Sequence, residues 1–495
     1  MYLNFMRRTS PSAHTASPTT PRARPRSSLV LLLGPAFVAA VAYVDPGNVA
    51  ANLTAGAQYG YLLVWVLVAA NLIAVLVQYL SAKLGLVSGR SLPALLGDRL
   101  GRRSRLAYWG QAEIVAVATD LAEVVGGAIA LKILFDVPLL LGGVIVGVVS
   151  LVLLSIQSTR GQRPFEFVII GFLAIIAIGF LAGLVVGDVD WGQAAGGLVP
   201  QLEGTNSLVL AASMLGATVM PHAIYLHSAL AVDRHGMVPR AEIPRLLRAN
   251  RWDVALSLVV AGSVNIAMLL LAAAALRGES GTDTIEGAHA VVTANLGEVV
   301  GLLFGIGLLA SGLASSAVGS YAGASIMQGL LRIDVPIVWQ RAVTMLPALA
   351  VLAIGVDPTW ALVLSQVVLS LGIPFAMVPL VRLTRMRTVM GEFANGRAIT
   401  VAALAAASLI IVLNVVLIAL LVAGIDYVEE PGTAPEARLG GGTLAAPQGV
   451  SDPAGSQRSR SDTGRTIVTG SERTHHGTGS PAARAARRSS RVAYR

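Results

Sequence analysis

Runs of apolar residues long enough to cross a bilayer recur along most of the chain, separated by short polar stretches that hold most of its charge. A membrane-spanning helix needs about 20 mainly apolar residues. The pattern predicts eleven such spans, at about 29 to 55, 61 to 87, 107 to 133, 138 to 157, 164 to 186, 206 to 231, 253 to 276, 298 to 330, 338 to 356, 360 to 381 and 399 to 424. No segment shows the alternating pattern of a membrane β-strand, so an all-α polytopic membrane protein is expected. Two spans carry prolines among polar residues: Asp45-Pro46-Gly47-Asn48 in the first and Met220-Pro221-His222 in the sixth. Proline removes a backbone donor and disfavours helix at the residue before it, so both spans are predicted to break near mid-membrane. Broken helices at corresponding places in two halves of a membrane protein point to a transporter's binding site. The side chains at these breaks are a carboxylate, an amide, a thioether and an imidazole, a set suited to a transition-metal ion.

Composition agrees: the 495 residues are 55% apolar and 13% charged, with a mean hydropathy of +0.71. The first span follows an arginine-rich segment as a signal peptide would, but it carries Asp45 and no small-residue cleavage site, so it reads as retained. Arginines cluster before span 1 and after spans 2, 4, 6 and 10, whereas the alternate loops carry Asp188, Asp190, Glu203, Glu279, Asp283 and Glu286. The positive-inside rule then places the N-terminus in the cytoplasm and, after eleven crossings, the C-terminus outside. The net charge of +9 is accounted for by cytoplasmic loops and tails, without nucleic acid. Residues 1 to 28 and 425 to 495 are rich in Ser, Thr, Pro, Gly and Arg and are expected to be disordered, His475-His476 included. With no cysteine, thiolate metal sites and disulfides are excluded.

No phosphate-binding loop occurs, which leaves an ion gradient as the energy source. His222 and His227 are five apart without a neighbouring Glu and do not form a zinc-protease helix, so no enzyme activity is expected and no cofactor. In the third span Glu113, Asp120 and Glu123 fall on one helical face. A charge at mid-bilayer costs about 2.5 to 3.5 kcal/mol on insertion scales, so such a seam must be protonated, paired or wet, and proton relay is its common use. Glu113 has two readings, as a member of the seam or as a solvated group at the membrane edge.

Together Val44-Asp45-Pro46-Gly47-Asn48, Thr119-Asp120-Leu121-Ala122-Glu123, Met220-Pro221-His222 with Tyr225-Leu226-His227-Ser228, and Gly319-Ser320-Tyr321-Ala322-Gly323 resemble the Nramp family from about residue 30 to 424. The resemblance implies a proton-coupled importer of divalent metals, mainly manganese and iron and also open to cobalt, zinc and cadmium, in the bacterial inner membrane. It implies a leucine-transporter-type fold, with spans 1 to 5 and 6 to 10 as an inverted repeat and an added eleventh helix. Spans 1, 2, 6 and 7 would rock against the rest. Metal ligands by resemblance are Asp45, Asn48, Met220 and the carbonyls of Ala42 and Ala217, joined by Gln366, with Asn265 a weaker candidate. The thioether of Met220 would favour transition metals over calcium and magnesium. Protons by resemblance pass by Asp45, His222, Asp120 and Glu123, with Arg234 and Arg341 at the inner end. Here the chain has Gln340-Arg341 where some relatives carry paired arginines. His222 either titrates in the cycle or packs in the break without titrating. Metal ions, protons and lipid are the implied partners, with no obligatory protein partner. Three alternatives stand beside this reading: a same-fold carrier of an organic solute such as an amino acid, a magnesium- or aluminium-preferring relative, and a metal-sensing membrane protein. Asp45 and Met220 argue against the first, and the second would be expected to lack the Met220 thioether.

Overall fold

The computed structural model describes residues 34–333 and 336–422. The expected tails, including His475-His476, lie outside them. The described chain is helical throughout: α1 (Pro35–Val41), α2 (Pro46–Tyr59), α3 (Val64–Ser88), α4 (Leu92–Arg99), α5 (Arg102–Phe135), α6 (Leu139–Arg160), α7 (Gln162–Val186), α8 (Trp191–Gly196), α9 (Gly204–Thr218), α10 (Pro221–His235), α11 (Ile243–Ala275), α12 (Ile285–Leu296), α13 (Glu298–Leu331), α14 (Ile337–Ile354), α15 (Pro358–Arg385), α16 (Arg387–Met390) and α17 (Arg397–Val422), with short 3₁₀ turns between some of them. Among the described residues nine helical stretches are long and apolar enough to cross a membrane, and two shorter apolar ones, Pro35–Val44 and Val338–Ile354, supply the first and ninth spans. These match the eleven predicted spans.

The two breaks have one cause. Asp45 and Met220 each precede a proline and each is extended, at φ −71°, ψ 167° and φ −70°, ψ 125° respectively. That is the conformation a following proline imposes, and the proline then serves as first residue of α2 or α10, where no N–H is needed. The first span therefore runs as α1, a 3₁₀ turn at Ala42–Val44, and α2, while the sixth runs as α9 and α10. Each group of five spans begins with a split helix.

The split spans lie at the centre. α2 packs on α9, α11 and α15, and α10 packs on α3, α13 and α15. α5 runs against α13, α14 and α15, turning Asp120 and Glu123 inward. Helices α6, α7 and α17 keep large apolar side chains such as Val148, Phe167 and Val412 exposed, as helices at a lipid boundary do. Where the pattern places the seventh span at 253 to 276, α11 starts at Ile243. Its first turns carry Arg245, Arg248 and Arg251, which hydropathy counts as loop although they extend the helix into the interface.

Candidate functional site

Proline removes the α-helical donor of one carbonyl at each break. In an α-helix the carbonyl of residue i accepts from the N–H of residue i+4. For Ala42 and Ala217 that partner is Pro46 or Pro221, which has no N–H. The neighbouring carbonyls of the unwound turn are held by side chains from other spans: Asn265 Nδ2 donates to Tyr43 O at 2.7 Å and Ser311 Oγ to Val44 O at 2.6 Å. Asn265 Oδ1 accepts from Asn52 at 3.1 Å. Asn265 thus braces the unwound backbone and stands apart from the Asp45 group.

Asp45, Asn48 and Ala217 converge. Asp45 Oδ1 accepts from the backbone N–H of Asn48 at 2.8 Å and from Asn48 Nδ2 at 2.7 Å, and Asn48 Nδ2 also donates to Ala217 O at 2.9 Å. Asn48 Oδ1 is buried and finds no donor. Turning that amide over would gather the Asp45 carboxylate, the Asn48 oxygen and the Ala217 carbonyl around one point, a set of acceptors that calls for a cation. Gln366 Nε2 lies 3.5 Å from Asp45 Oδ2, and its Oε1 is likewise buried without a donor. Gly47 makes this possible, since a Cβ there would fall 1.6 Å from Gln366 Nε2. Met220 sits at the second break with no exposed surface. No group of three or more His, Asp or Glu side chains gathers among the described residues; the junction itself holds one carboxylate with amide and carbonyl oxygens, and the Met220 thioether lies at the second break.

A second polar group lies on α5. Arg341 of α14, 2% exposed, hydrogen-bonds Asp120 through Nη1 and Ser316 Oγ through Nη2, and lies 3.9 Å from Glu123 Oε2. One guanidinium thus serves two carboxylates, while neither oxygen of Glu123 has a hydrogen-bond partner. His222 joins α10 to the same helix through Nδ1 and Thr119 Oγ1 at 3.2 Å. A small cavity bordered by Asp120, Arg341 and Gln340 lies next to a vestibule of about 610 Å³ that Gln340 also borders. Arg90, Asp98, Asp233 and Tyr321 line this vestibule, with Tyr321 donating to Asp233. At its rim Asp98 pairs with both Arg90 and, at 2.7 Å, Arg332. Arg90 first, then Arg332, holds the Asp98 carboxyl below its ordinary value.

Not every expected residue joins these groups. Arg234 pairs at 2.8 Å with Glu166 of α7, which also accepts from Gln162, in a cluster separate from Arg341 and its partners. Glu113 is half-buried, two helical turns from Asp120. The pattern gave no notice of Ser316, a small polar residue on an apolar helix. A chain from Tyr43 through Gln78 to His227 Nδ1, the last step 2.7 Å, was signalled only by the amide of Gln78 inside an apolar span.

A buried polar junction between two split helices, within two five-span groups, defines a membrane protein of leucine-transporter-type fold. The chain superposes with a TM-score of 0.53 on a nucleobase-cation-symport-1 family transporter, at 16% identity over 78% of this chain and 90% of the other, which is a likeness of fold alone. A manganese transporter of Eremococcus coleocola gives a TM-score of 0.74 at 29% identity, covering 84% of this chain and 92% of that one. In sequence the chain is 61% identical over 394 residues to the divalent metal cation transporter MntH of Mycobacterium tuberculosis H37Rv, 79% of this chain and 92% of the relative. It is 46% identical over 384 residues to the MntH of Deinococcus radiodurans, 77% of this chain and 88% of the relative. Residues 36–420 match the family model for natural resistance-associated macrophage protein-like proteins. The chain belongs to the Nramp family.

Proposed function

We propose that this protein imports divalent transition-metal ions, Mn²⁺ and Fe²⁺ foremost, across a bacterial plasma membrane, together with protons and by alternating access. The observation that carries the reading is the convergence of Asp45, Asn48 and the Ala217 carbonyl at the junction of the two broken spans, with Met220 buried at the second break. Asp45 supplies charge, the amides of Asn48 and Gln366 supply oxygens, and the carbonyls of Ala42 and Ala217, deprived of helical donors by Pro46 and Pro221, supply two more. The sulfur of Met220 selects against hard cations, which prefer all-oxygen sites.

The proton branch of the proposal runs through Asp45, His222, Glu123 and Asp120 to the Gln340-bordered vestibule, with Arg341 compensating the two acids of α5. Arg234, held by Glu166, acts beside this route as a clasp between α10 and α7. In this reading the vestibule, the N-terminus and α4 face the cytoplasm, which the arginine-rich loops support through the positive-inside rule. The test is Mn²⁺ uptake into proteoliposomes under an imposed pH gradient, with Ca²⁺, Mg²⁺, Co²⁺, Zn²⁺ and Cd²⁺ as competitors. Uptake that rises with an inward proton gradient and resists Ca²⁺ and Mg²⁺ is expected. Absence of Mn²⁺ uptake, or uptake indifferent to the gradient, refutes the metal or the proton branch respectively.

A further inference from the structure

Span 10, which carries Gln366, contains two prolines of its own, Pro374 and Pro379, inside α15. Each deprives the carbonyl four residues earlier of its helical donor, at Ser370 and Phe375. A backbone carbonyl left without a donor inside a bilayer is costly, so each must be answered from elsewhere. Both are. Asn414 of α17 donates through Nδ2 to Ser370 O at 2.8 Å and accepts from Ser370 Oγ at 2.8 Å. Tyr225 of α10 donates through its hydroxyl to Phe375 O at 3.2 Å. None of the four has been given a role above, and Asn414, Ser370 and Tyr225 are buried.

The turn between Gln366 and Ser370 is also pressed against the second break. A Cβ on Gly216 would lie 2.2 Å from Gln366 O and 2.8 Å from both Ser370 Cβ and Ser370 N. Gly216 immediately precedes Ala217, whose carbonyl faces Asn48. This turn of α15 thus packs without a gap against the residue that precedes Ala217. Tyr225 lies five residues beyond Met220 on the same helix, so its bond to Phe375 links the element that starts at the thioether to the one that carries the amide.

We infer that Asn414 and Tyr225 are positioning residues for the substrate site, holding the two proline-opened turns of span 10 so that Gln366 is kept within reach of Asp45. The inference rests on the proposed reading of Asp45 and Gln366 as substrate ligands. It gives the eleventh span, which stands outside the two five-span groups, a task in substrate binding through Asn414.

The test measures KM and maximal rate for Mn²⁺ uptake in proteoliposomes. Tyr225→Phe is expected to raise KM about fivefold, the size of one lost neutral hydrogen bond, and Asn414→Leu, which removes two, by about fivefold or more, each with a smaller change in maximal rate. Two backgrounds separate positioning from general destabilisation. In Pro374→Ala the new N–H reaches Ser370 O, so Asn414→Leu added there raises KM less than it does alone, only the Ser370 Oγ bond being lost. In Gln366→Ala neither substitution raises KM further, because the group they position is gone. Parent-like KM for both single variants, or the same rise with Gln366→Ala present, overturns the inference. Tyr225→Phe removes a single oxygen and carries the comparison should Asn414→Leu not fold. Asp45→Asn is the control for the underlying reading: normal Mn²⁺ uptake by that variant overturns the substrate site itself, whereas lost uptake there with unchanged KM in Tyr225→Phe and Asn414→Leu overturns only the positioning role.

Discussion

Replacing Arg341 by methionine keeps the length of the side chain and removes the guanidinium that Asp120, Ser316 and Glu123 share. All of these groups are buried, with Arg341 2% and Glu123 1% exposed, so bulk solvent does not already screen them. Removing one partner of a buried ion pair costs about 3 to 5 kcal/mol, because the charge left behind is uncompensated. Asp120→Asn costs less, about 1.5 to 3 kcal/mol, the value of a hydrogen bond to a charged group, since Arg341 keeps Ser316 and Glu123. Once Asp120 is neutral the guanidinium has one fewer carboxylate to compensate. The double variant should therefore be less destabilised than the two single changes predict, by about 1 to 3 kcal/mol. Reversible unfolding by SDS titration in mixed micelles, applied to all four proteins, gives the cycle. Additivity to within about 0.5 kcal/mol would show the pair to be uncoupled and refute the reasoning. So would a cost below about 1 kcal/mol for Arg341→Met, since a buried guanidinium between two acids cannot be removed so cheaply.

Asp45→Asn is expected to abolish Mn²⁺ binding by calorimetry and uptake in proteoliposomes while the protein stays folded in detergent, because asparagine also caps a helix. Met220→Ala should retain some Mn²⁺ uptake through the oxygen donors yet become sensitive to Ca²⁺ competition; unchanged exclusion of Ca²⁺ would mean that selectivity lies elsewhere. Asp120→Asn should alter the pH dependence of uptake with much less effect on Mn²⁺ affinity, whereas a loss of affinity equal to that of Asp45→Asn would move Asp120 into the metal site. The Arg90–Asp98–Arg332 bridge should hold at neutral pH and weaken in acid: Asp98 is depressed below its ordinary 3.8, so its contribution is complete above that value and is lost as pH falls through the lowered one. An acid-dependent rise in proteolysis between α3 and α4 that Asp98→Asn reproduces at neutral pH is the expected sign.

Much of this architecture can be read from hydropathy because lipid permits few alternatives, and the two breaks because proline acts locally. Asp45 and Met220 are extended for reasons contained in the next residue. Partners brought together by packing are another matter. Nothing near Ser316 announces that it receives an arginine from span 9, and nothing near Asn414 or Ser370 announces their pairing across 44 positions. Arg234 illustrates the converse: an arginine after span 6 suits the inner end of a proton route, but Glu166 on span 5 is nearer and takes it. Asn265, an amide in an apolar span, looks like a ligand until the unwound carbonyl of Tyr43 claims it. The early start of α11 escaped because charged residues that continue a helix beyond the apolar slab resemble a loop to any hydropathy count.

The amide of Asn48 has a consequence for the idle half of a transport cycle. A carrier that delivers its cargo on one side must go back without it, and a carboxylate sealed in the protein centre with nothing opposite would make that journey slow. Here Asp45 Oδ1 already receives two N–H groups from Asn48, one from the backbone and one from the side chain, while the same side chain satisfies Ala217. On the proposed reading the amide is a place-holder: its nitrogen faces the carboxylate and carbonyl here, and a half-turn would bring its oxygen round to a cation. Loading and unloading would then exchange one set of partners for another, which is what a shuttle needs if neither leg is to be a trap.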